Sequence, residues 1–266
     1  MPYLSPALNV MTAAARKAGR ALIRDFGEIE NLQVSLKGPA DFVSTADERT
    51  ERILVQELSR ARPGYGFLVE ETGVIEGPDK SHRFIIDPLD GTTNFLHGIP
   101  QFAISIALER EKQLVSAVVY NPVTDEMFMA EKSHGAYLND KRLRVAGRKT
   151  LTESLIATGM PFRGRPGHES FLEELAPVMA STSGVRRFGS AALDLAWVAA
   201  GRFDAFWERG LSPWDVAAGI LLVREAGGVV SDLTGGERAL ETGDILVAND
   251  TLHPQILKLL RAARRS

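Results

Sequence analysis

Residues 84–95 read FIIDPLDGTTNF, with Asp87 and Asp90 three positions apart between an apolar run and a Gly-Thr-Thr turn. Two other segments also place acids where hydrophobic stretches end: Glu70 and Glu71 in FLVEETG, and Asp215 in SPWDVAAG. Each has a plain structural explanation. Asp87-Pro88 can open a turn, since proline presets the backbone angle and aspartate bonds locally. Asp215 can N-cap the apolar run that follows it, and the glutamates can be a solvated pair. If instead the fold gathers these segment ends on one rim, four or five carboxylates share a small volume. Like charges ~4 Å apart repel by about 4 kcal/mol at an effective dielectric of ~20, so such a cluster protonates or captures cations. An all-oxygen donor set selects hard ions, and magnesium combines a few carboxylates with waters and phosphate oxygens. Two ions ~3.5–4 Å apart, bridged by one aspartate, would clamp the attacking and leaving oxygens of phosphoryl chemistry. If Gly91 to Asn94 begin a helix, their free N–H groups face an anion, and glycine lets it approach closely.

The elements that must position these groups follow from periodicity. Residues 6–26 form an amphipathic helix, KGPADFVST a Gly-Pro loop, and Thr45 with Glu48 a capping box that starts a second helix at Thr45. Asp47 then lies in its first turn. Residues 66–69 and 83–87 read as core strands, and residues 103–132 as a strand meander with turns at 111–113 and 121–125. Asn139-Asp140 marks a hairpin turn. Beyond it come a strand at 154–158, helices near 168–182, 190–200 and 215–227, and a closing helix from about 253. The class is α+β, with stacked helix and sheet layers in one catalytic domain spanning 1–266. A subdomain boundary near 148 divides 1–148, with the first acidic groups and the Gly-Thr-Thr turn, from 149–266, with Asp215.

Composition narrows the possibilities. The 266 residues carry a net charge of -3, which gives no footprint of the kind nucleic-acid or anionic-membrane binders need. The chain has no cysteine, which excludes disulfides, thiolate nucleophiles and iron–sulfur clusters. A reducing cytoplasm is the natural setting. No apolar run reaches the ~20 residues of a membrane span, and the five histidines lack metal-ligand spacing and read as surface or turn residues.

DFVSTAD, VEET, IIDPLDGTTNF, GSAALDLAWVAAG and WDVAAGILLVREAGG, in this order, resemble the inositol monophosphatase family of magnesium-dependent, lithium-sensitive phosphatases. The resemblance implies a layered αβαβα sandwich of the inositol monophosphatase/fructose-bisphosphatase type and a homodimer. It makes Glu70, Asp87 and the carbonyl of Leu89 ligands of one Mg2+, and Asp87, Asp90 and Asp215 ligands of a second. A weaker third ion would sit near Glu70 and the 37–41 loop. Thr92 and Asp47, with Glu70, would activate water for in-line attack on phosphorus. Substrate contacts carried over are Asp90, Gly91 and Thr92 on the phosphate side, Gly189, Ser190, Ala191 and Glu208 on the alcohol side, and Lys37 in a loop closing over the phosphate. Glu208 suits a polyol, because a carboxylate accepts from two neighbouring hydroxyls. Ser212-Pro213 departs from the His-Cys pair of animal members and leaves specificity open.

The implied reaction is Mg2+-dependent, Li+-inhibited hydrolysis of a small phosphorylated polyol, myo-inositol 1-phosphate foremost, with no nucleic-acid or membrane partner. The same chemistry on fructose 1,6-bisphosphate, histidinol phosphate or a 3′-phosphoadenosine nucleotide is the alternative, as is a regulatory binding protein on the same fold. A bisphosphate needs a second cationic pocket, for which Arg163, Arg165 and Arg209 are candidates. Asp194 reads as a buried polar anchor, with Arg186 or Arg187 as its partner or part of a dimer surface.

Overall fold

The computed structural model describes residues 5–28, 34–38 and 41–263, without the side chains of 34–38 and 41–43. In chain order the elements begin with helix α1 (Pro6–Phe26), strands β1 (Val34–Gly38) and β2 (Asp41–Ser44), helix α2 (Thr45–Ala61), and strands β3 (Tyr65–Val69), β4 (Gly73–Ile75) and β5 (Asp79–Asp90). One-turn helix α3 (Thr92–Leu96) precedes strands β6 (Ala103–Arg110), β7 (Gln113–Asn121), β8 (Glu126–Glu131), β9 (Gly135–Leu138) and β10 (Lys141–Arg142). The remainder runs β11 (Leu155–Thr158), α4 (His168–Ser181), β12 (Gly184–Arg186), α5 (Ala191–Ala199), β13 (Ala205–Glu208), α6 (Pro213–Glu225), β14 (Val229–Ser231), α7 (Ala239–Thr242), β15 (Ile245–Ala248) and α8 (Leu252–Ala263).

An eight-stranded sheet has the order β10-β9-β8-β7-β6-β5-β3-β4, antiparallel except where β3 runs parallel to β5. Its central strands are buried on both faces. Phe84, Ile86, Ile104, Ile106, Val118 and Tyr120 join α1 and α2, while the alternating Ile85, Ala103, Ala107, Ala117 and Val119 join α5 and α6. The period-two alternation thus separates two cores instead of core and solvent. Because α6 lies between sheets, residues 216–223 are buried all round and the helix has no polar stripe. The five-stranded sheet, ordered β12-β11-β13-β15-β14, closes the stack with α4 and α8 on its outer face. The layers are α1/α2, sheet, α5/α6, sheet, α4/α8, the αβαβα sandwich. The chain leaves the first sheet at Arg142 and enters the second at Leu155, and one core cluster draws residues from both sheets.

Three expectations shift. The loop read into KGPADFVST contains the antiparallel pair β1 and β2. The capping box of α2 uses Ser44 and Asp47 instead of Thr45 and Glu48: Ala46 N–H donates to Ser44 Oγ (3.2 Å), and Ser44 N–H donates to Asp47 Oδ2 (2.8 Å). Ser44 holds an extended backbone at the end of β2, which is what an N-cap requires. The histidine expectation fails at His253, which is buried and shares a 2.9 Å hydrogen bond with Ser231 Oγ.

Candidate active site

The Asp-Pro-Leu-Asp segment ends β5 in an irregularity. Asp87 pairs with Ser105 and Asp90 with Ala103, so β5 carries one extra residue between the pairs. Such a bulge breaks the alternation that would send side chains three apart to opposite faces. Pro88 sits where a ladder donor is dispensable, and Leu89 N–H donates to Asp87 Oδ1 at 2.9 Å, closing a local turn. Asp215 arrives from the other half of the chain. It is the third residue of α6 and does not N-cap it as the sequence suggests: Ser212 is the N-cap, and its N–H donates to Asp215 Oδ2 at 2.7 Å. Proline at the first helical position moves the start ahead of Trp214. The result is that Asp87, Asp90 and Asp215 each place a carboxylate oxygen within 4.8 Å of the others'.

Glu70 follows β3, its N–H donating to Ile86 O at 3.2 Å, and its charge acts on Asp47, Asp87, Asp90 and Asp215. Asp47 is fully buried; its Oδ2 accepts from Ser44 N–H and Oγ–H, and its Oδ1 accepts from Thr92 Oγ–H at 3.0 Å. The Thr92 hydroxyl also lies 3.1 Å from Leu89 O, so its single hydrogen chooses between a carboxylate and a carbonyl. Asp90 Oδ2 accepts from Ser190 Oγ–H (2.5 Å) and Ala192 N–H (2.7 Å) at the start of α5. Asn94 donates to Gln101 O and Phe188 O, both at 2.7 Å, which ties α3 to the segment before α5. Gly91, at φ +100°, occupies a position that only glycine fills easily: a Cβ there would lie 2.9 Å from Gln101 O.

Electrostatics follow from this crowding. Burial, then Glu70, Asp90 and Asp215, push Asp87 well above the usual carboxylate range. Burial raises Asp90 to about 6 against the pull of Ser190 and Ala192. Asp215 rises to about 7 through burial and then Asp90. Glu208, at the end of β13, rises to about 8 through burial and then Asp215 and Asp90. Burial also raises Asp47, opposed by its bonds from Ser44. Such groups cannot all ionise without compensating cations, and every donor present is oxygen. The donor set therefore fits a hard divalent ion.

A cavity of about 270 Å3 opens beside the cluster, lined by Asp90, Gly91, Thr92, Gly189, Ser190, Ala191, Glu208 and Asp215. The structure therefore brings together Asp90, Gly91, Thr92, Gly189, Ser190, Ala191 and Glu208 of the substrate expectation. Lys37 is in β1 and its side chain lies outside the described residues, as does part of the 37–41 loop expected near a third ion. Of the three arginines considered for a second anion, Arg209 is engaged by Glu174 (2.9 Å) and Asp244 (2.8 Å). Arg163 does not line the cavity, whereas Arg165 does, stacked 4.7 Å over Phe162 and donating to Gly210 O at 3.0 Å. Sequence reasoning missed Gly159 as a site residue. A Cβ there would meet Glu208 Cδ at 1.9 Å, so the glycine admits the Glu208 carboxyl. It named Asn94 only for its backbone N–H and not for the side-chain bonds to Gln101 O and Phe188 O.

Comparison with known proteins identifies relatives over nearly the whole chain. The inositol monophosphatase family model matches residues 4–265. An inositol-1-monophosphatase of Mesorhizobium japonicum is 61% identical over 257 residues, covering 97% of each chain. The Nus factor SuhB of Pseudomonas aeruginosa is 45% identical, covering 97% of each chain. The crystal structure of the extragenic suppressor protein suhB from Bartonella henselae superposes with a TM-score of 0.95 at 57% identity, over 97% of this chain and 99% of that one.

Proposed function

The chain belongs to the inositol monophosphatase family, and on that premise we propose that it hydrolyses phosphate monoesters of small polyols with Mg2+, myo-inositol 1-phosphate foremost. The observation that carries the reading is the meeting of Asp87, Asp90 and Asp215 within 4.8 Å, next to the Thr92–Asp47 pair. Glu70, Asp87, Asp90, Asp215 and the Leu89 carbonyl would hold the ions. Bound magnesium would neutralise the cluster and polarise the phosphoryl group.

The chain's own groups do the rest. Gly91 and Thr92 face the phosphate with backbone N–H groups at the start of α3. Thr92 Oγ–H donates to Asp47 Oδ1, which leaves an Oγ lone pair directed at the attacking water. One hydrogen passes from water to Thr92 Oγ as the Thr92 hydrogen passes to Asp47. The water oxygen bonds to phosphorus, the phosphorus–alcohol oxygen bond breaks, the departing alkoxide takes a proton from solvent water, and Asp47 later returns its proton to solvent. Asp47 can take the proton because burial already raises its pKa. Ser190 and Ala192 fix Asp90 in place, and Glu208 with the backbone of Gly189 to Ala191 receives the alcohol's hydroxyls.

A panel assay tests this: phosphate release from inositol 1-phosphate, fructose 1,6-bisphosphate, histidinol phosphate and a 3′-phosphoadenosine nucleotide, with Mg2+ and with or without Li+. Inositol 1-phosphate as the best substrate, with lithium inhibition, is the expected result. No release from any ester by folded, magnesium-loaded protein would refute it and favour a regulatory binding role, the reading suggested by the relatives named Nus factor. We also propose a homodimer working in the cytoplasm. The absence of cysteine supports the compartment, and no helix among the described residues is long and apolar enough to cross a membrane. Light scattering and cell fractionation check both.

A further inference from the structure

Asp194 lies in the first turn of α5, is 1% exposed, and lines the same cavity as Asp90 and Glu208. Its Oδ1 is buried without a hydrogen-bond partner. Buried polar atoms are nearly always satisfied, and an orphan beside a binding cavity calls for an explanation in terms of what the cavity receives. The partner is not Arg186, which lies in β12 and donates to the adjacent Val185 O. Arg187 lines the cavity with Asp194, and its guanidinium lies across Gly189, where a Cβ would come within 2.7 Å of Nη1. The guanidinium attracts Asp194 electrostatically, yet the two do not form an ion pair within 4.0 Å. Among the described residues Arg187 joins no ion pair at all.

A carboxyl and a guanidinium thus border one cavity with their mutual bond unmade. A group that bridges them must donate on one side and accept on the other, which a hydroxyl does and a phosphate does not. A second phosphate would be drawn to Arg187 and Arg165 but would face Asp194 and Glu208 at the same wall. Resting on the phosphatase reading above, we propose that Asp194 and Arg187 form a hydroxyl-recognition subsite that restricts the alcohol to a neutral polyol and disfavours sugar bisphosphates. As a carboxylate, Asp194 accepts from the hydroxyl and repels a second phosphate.

The test compares kcat/KM for myo-inositol 1-phosphate with that for 4-nitrophenyl phosphate, an ester whose alcohol has no further hydroxyl. Asp194→Leu keeps the branching pattern at a larger size and removes the polar atoms. It is expected to lose about tenfold on inositol 1-phosphate and to stay within about twofold on the aryl ester. Its Tm should be unchanged or higher, since an orphaned buried oxygen is replaced by an apolar group. Asp194→Asn should recover most of the loss. Arg187→Met, at the exposed rim, tests the other half even if the Asp194 variants fold poorly, and should show the same selectivity. Because both groups hold one hydroxyl, the double variant should lose little more than either single one. Parallel losses on both esters, or unchanged inositol phosphate turnover, would overturn the subsite. Inactivity of the wild-type protein on both esters would instead overturn the phosphatase reading beneath it.

Discussion

Stripping divalent ions from the protein should invert its pH–stability profile. In the metal-free chain Asp215 rises from 3.8 to about 7 and Asp90 from 3.8 to about 6, chiefly by burial. A carboxyl whose folded pKa exceeds its unfolded value binds more protons when folded, so its contribution is present at low pH and is lost as pH rises toward the folded pKa. The window runs from about 4 to about 7 for Asp215 and from about 4 to about 6 for Asp90. Between pH 5 and pH 8, Asp215 alone forfeits roughly 3 kcal/mol at about 1.4 kcal/mol per pH unit up to its folded pKa. In a protein of this size that lowers Tm by about 6–12 °C. The coupled Asp90 adds to the fall without summing simply. Calorimetry in EDTA at both pH values, on wild type and Asp215→Asn, isolates the effect. The variant should lose most of the slope, and millimolar Mg2+ should raise the wild-type Tm far more at pH 8 than at pH 5. A metal-free wild type as stable at pH 8 as at pH 5, or a magnesium response independent of pH, would refute the claim that burial, with the neighbouring acids, raises these carboxyls in the metal-free chain.

Asp90→Asn should retain native circular dichroism, because an amide oxygen can still accept from Ser190 and Ala192, while phosphate release falls below about 1% of wild type. Gly159→Ala should drive a methyl into the Glu208 carboxyl and cut kcat/KM for inositol 1-phosphate by about tenfold, with a smaller effect on 4-nitrophenyl phosphate; equal loss on both would show that the loop and not Glu208 had moved. Arg209→Met removes the guanidinium that bonds the buried Glu174 and Asp244 and should cost on the order of 1–3 kcal/mol in urea denaturation, with kcat unchanged.

Much of what depends on neighbours in sequence could be read directly, although the local pair of β1 and β2 was read as a loop. The bulged Asp87–Asp90 pair, its glycine turn and the hairpin meander are local, and the layered class follows from alternating apolar strands and long helices. Boundaries set by competing caps were harder: Ser44 and Ser212 outcompeted Thr45 and Asp215 because their extended backbones already pointed the right way. In neither case did the error move the acid far, since the capping boxes hold Asp47 and Asp215 at the third helical position. Long-range features were invisible. Gly159 matters only because β13 carries Glu208 against it, and the burial of His253 depends on Ser231 lying beside it. Arg165 and Arg209 look alike in sequence, yet Glu174 and Asp244 engage only one of them. The Asp47–Thr92 pair came from family resemblance alone, since no periodicity links residues 45 positions apart.

The acidic cluster also has a place in the order of synthesis. Asp87 and Asp90 belong to the sheet that leaves the ribosome first, and Asp215 to a helix packed between it and a sheet that emerges later. A nascent or truncated chain that stops short of α6 has the turn but lacks the third carboxylate, so it cannot yet assemble this trio. Closure of the Asp87–Asp90–Asp215 trio therefore marks the moment when the two halves of the polypeptide have docked.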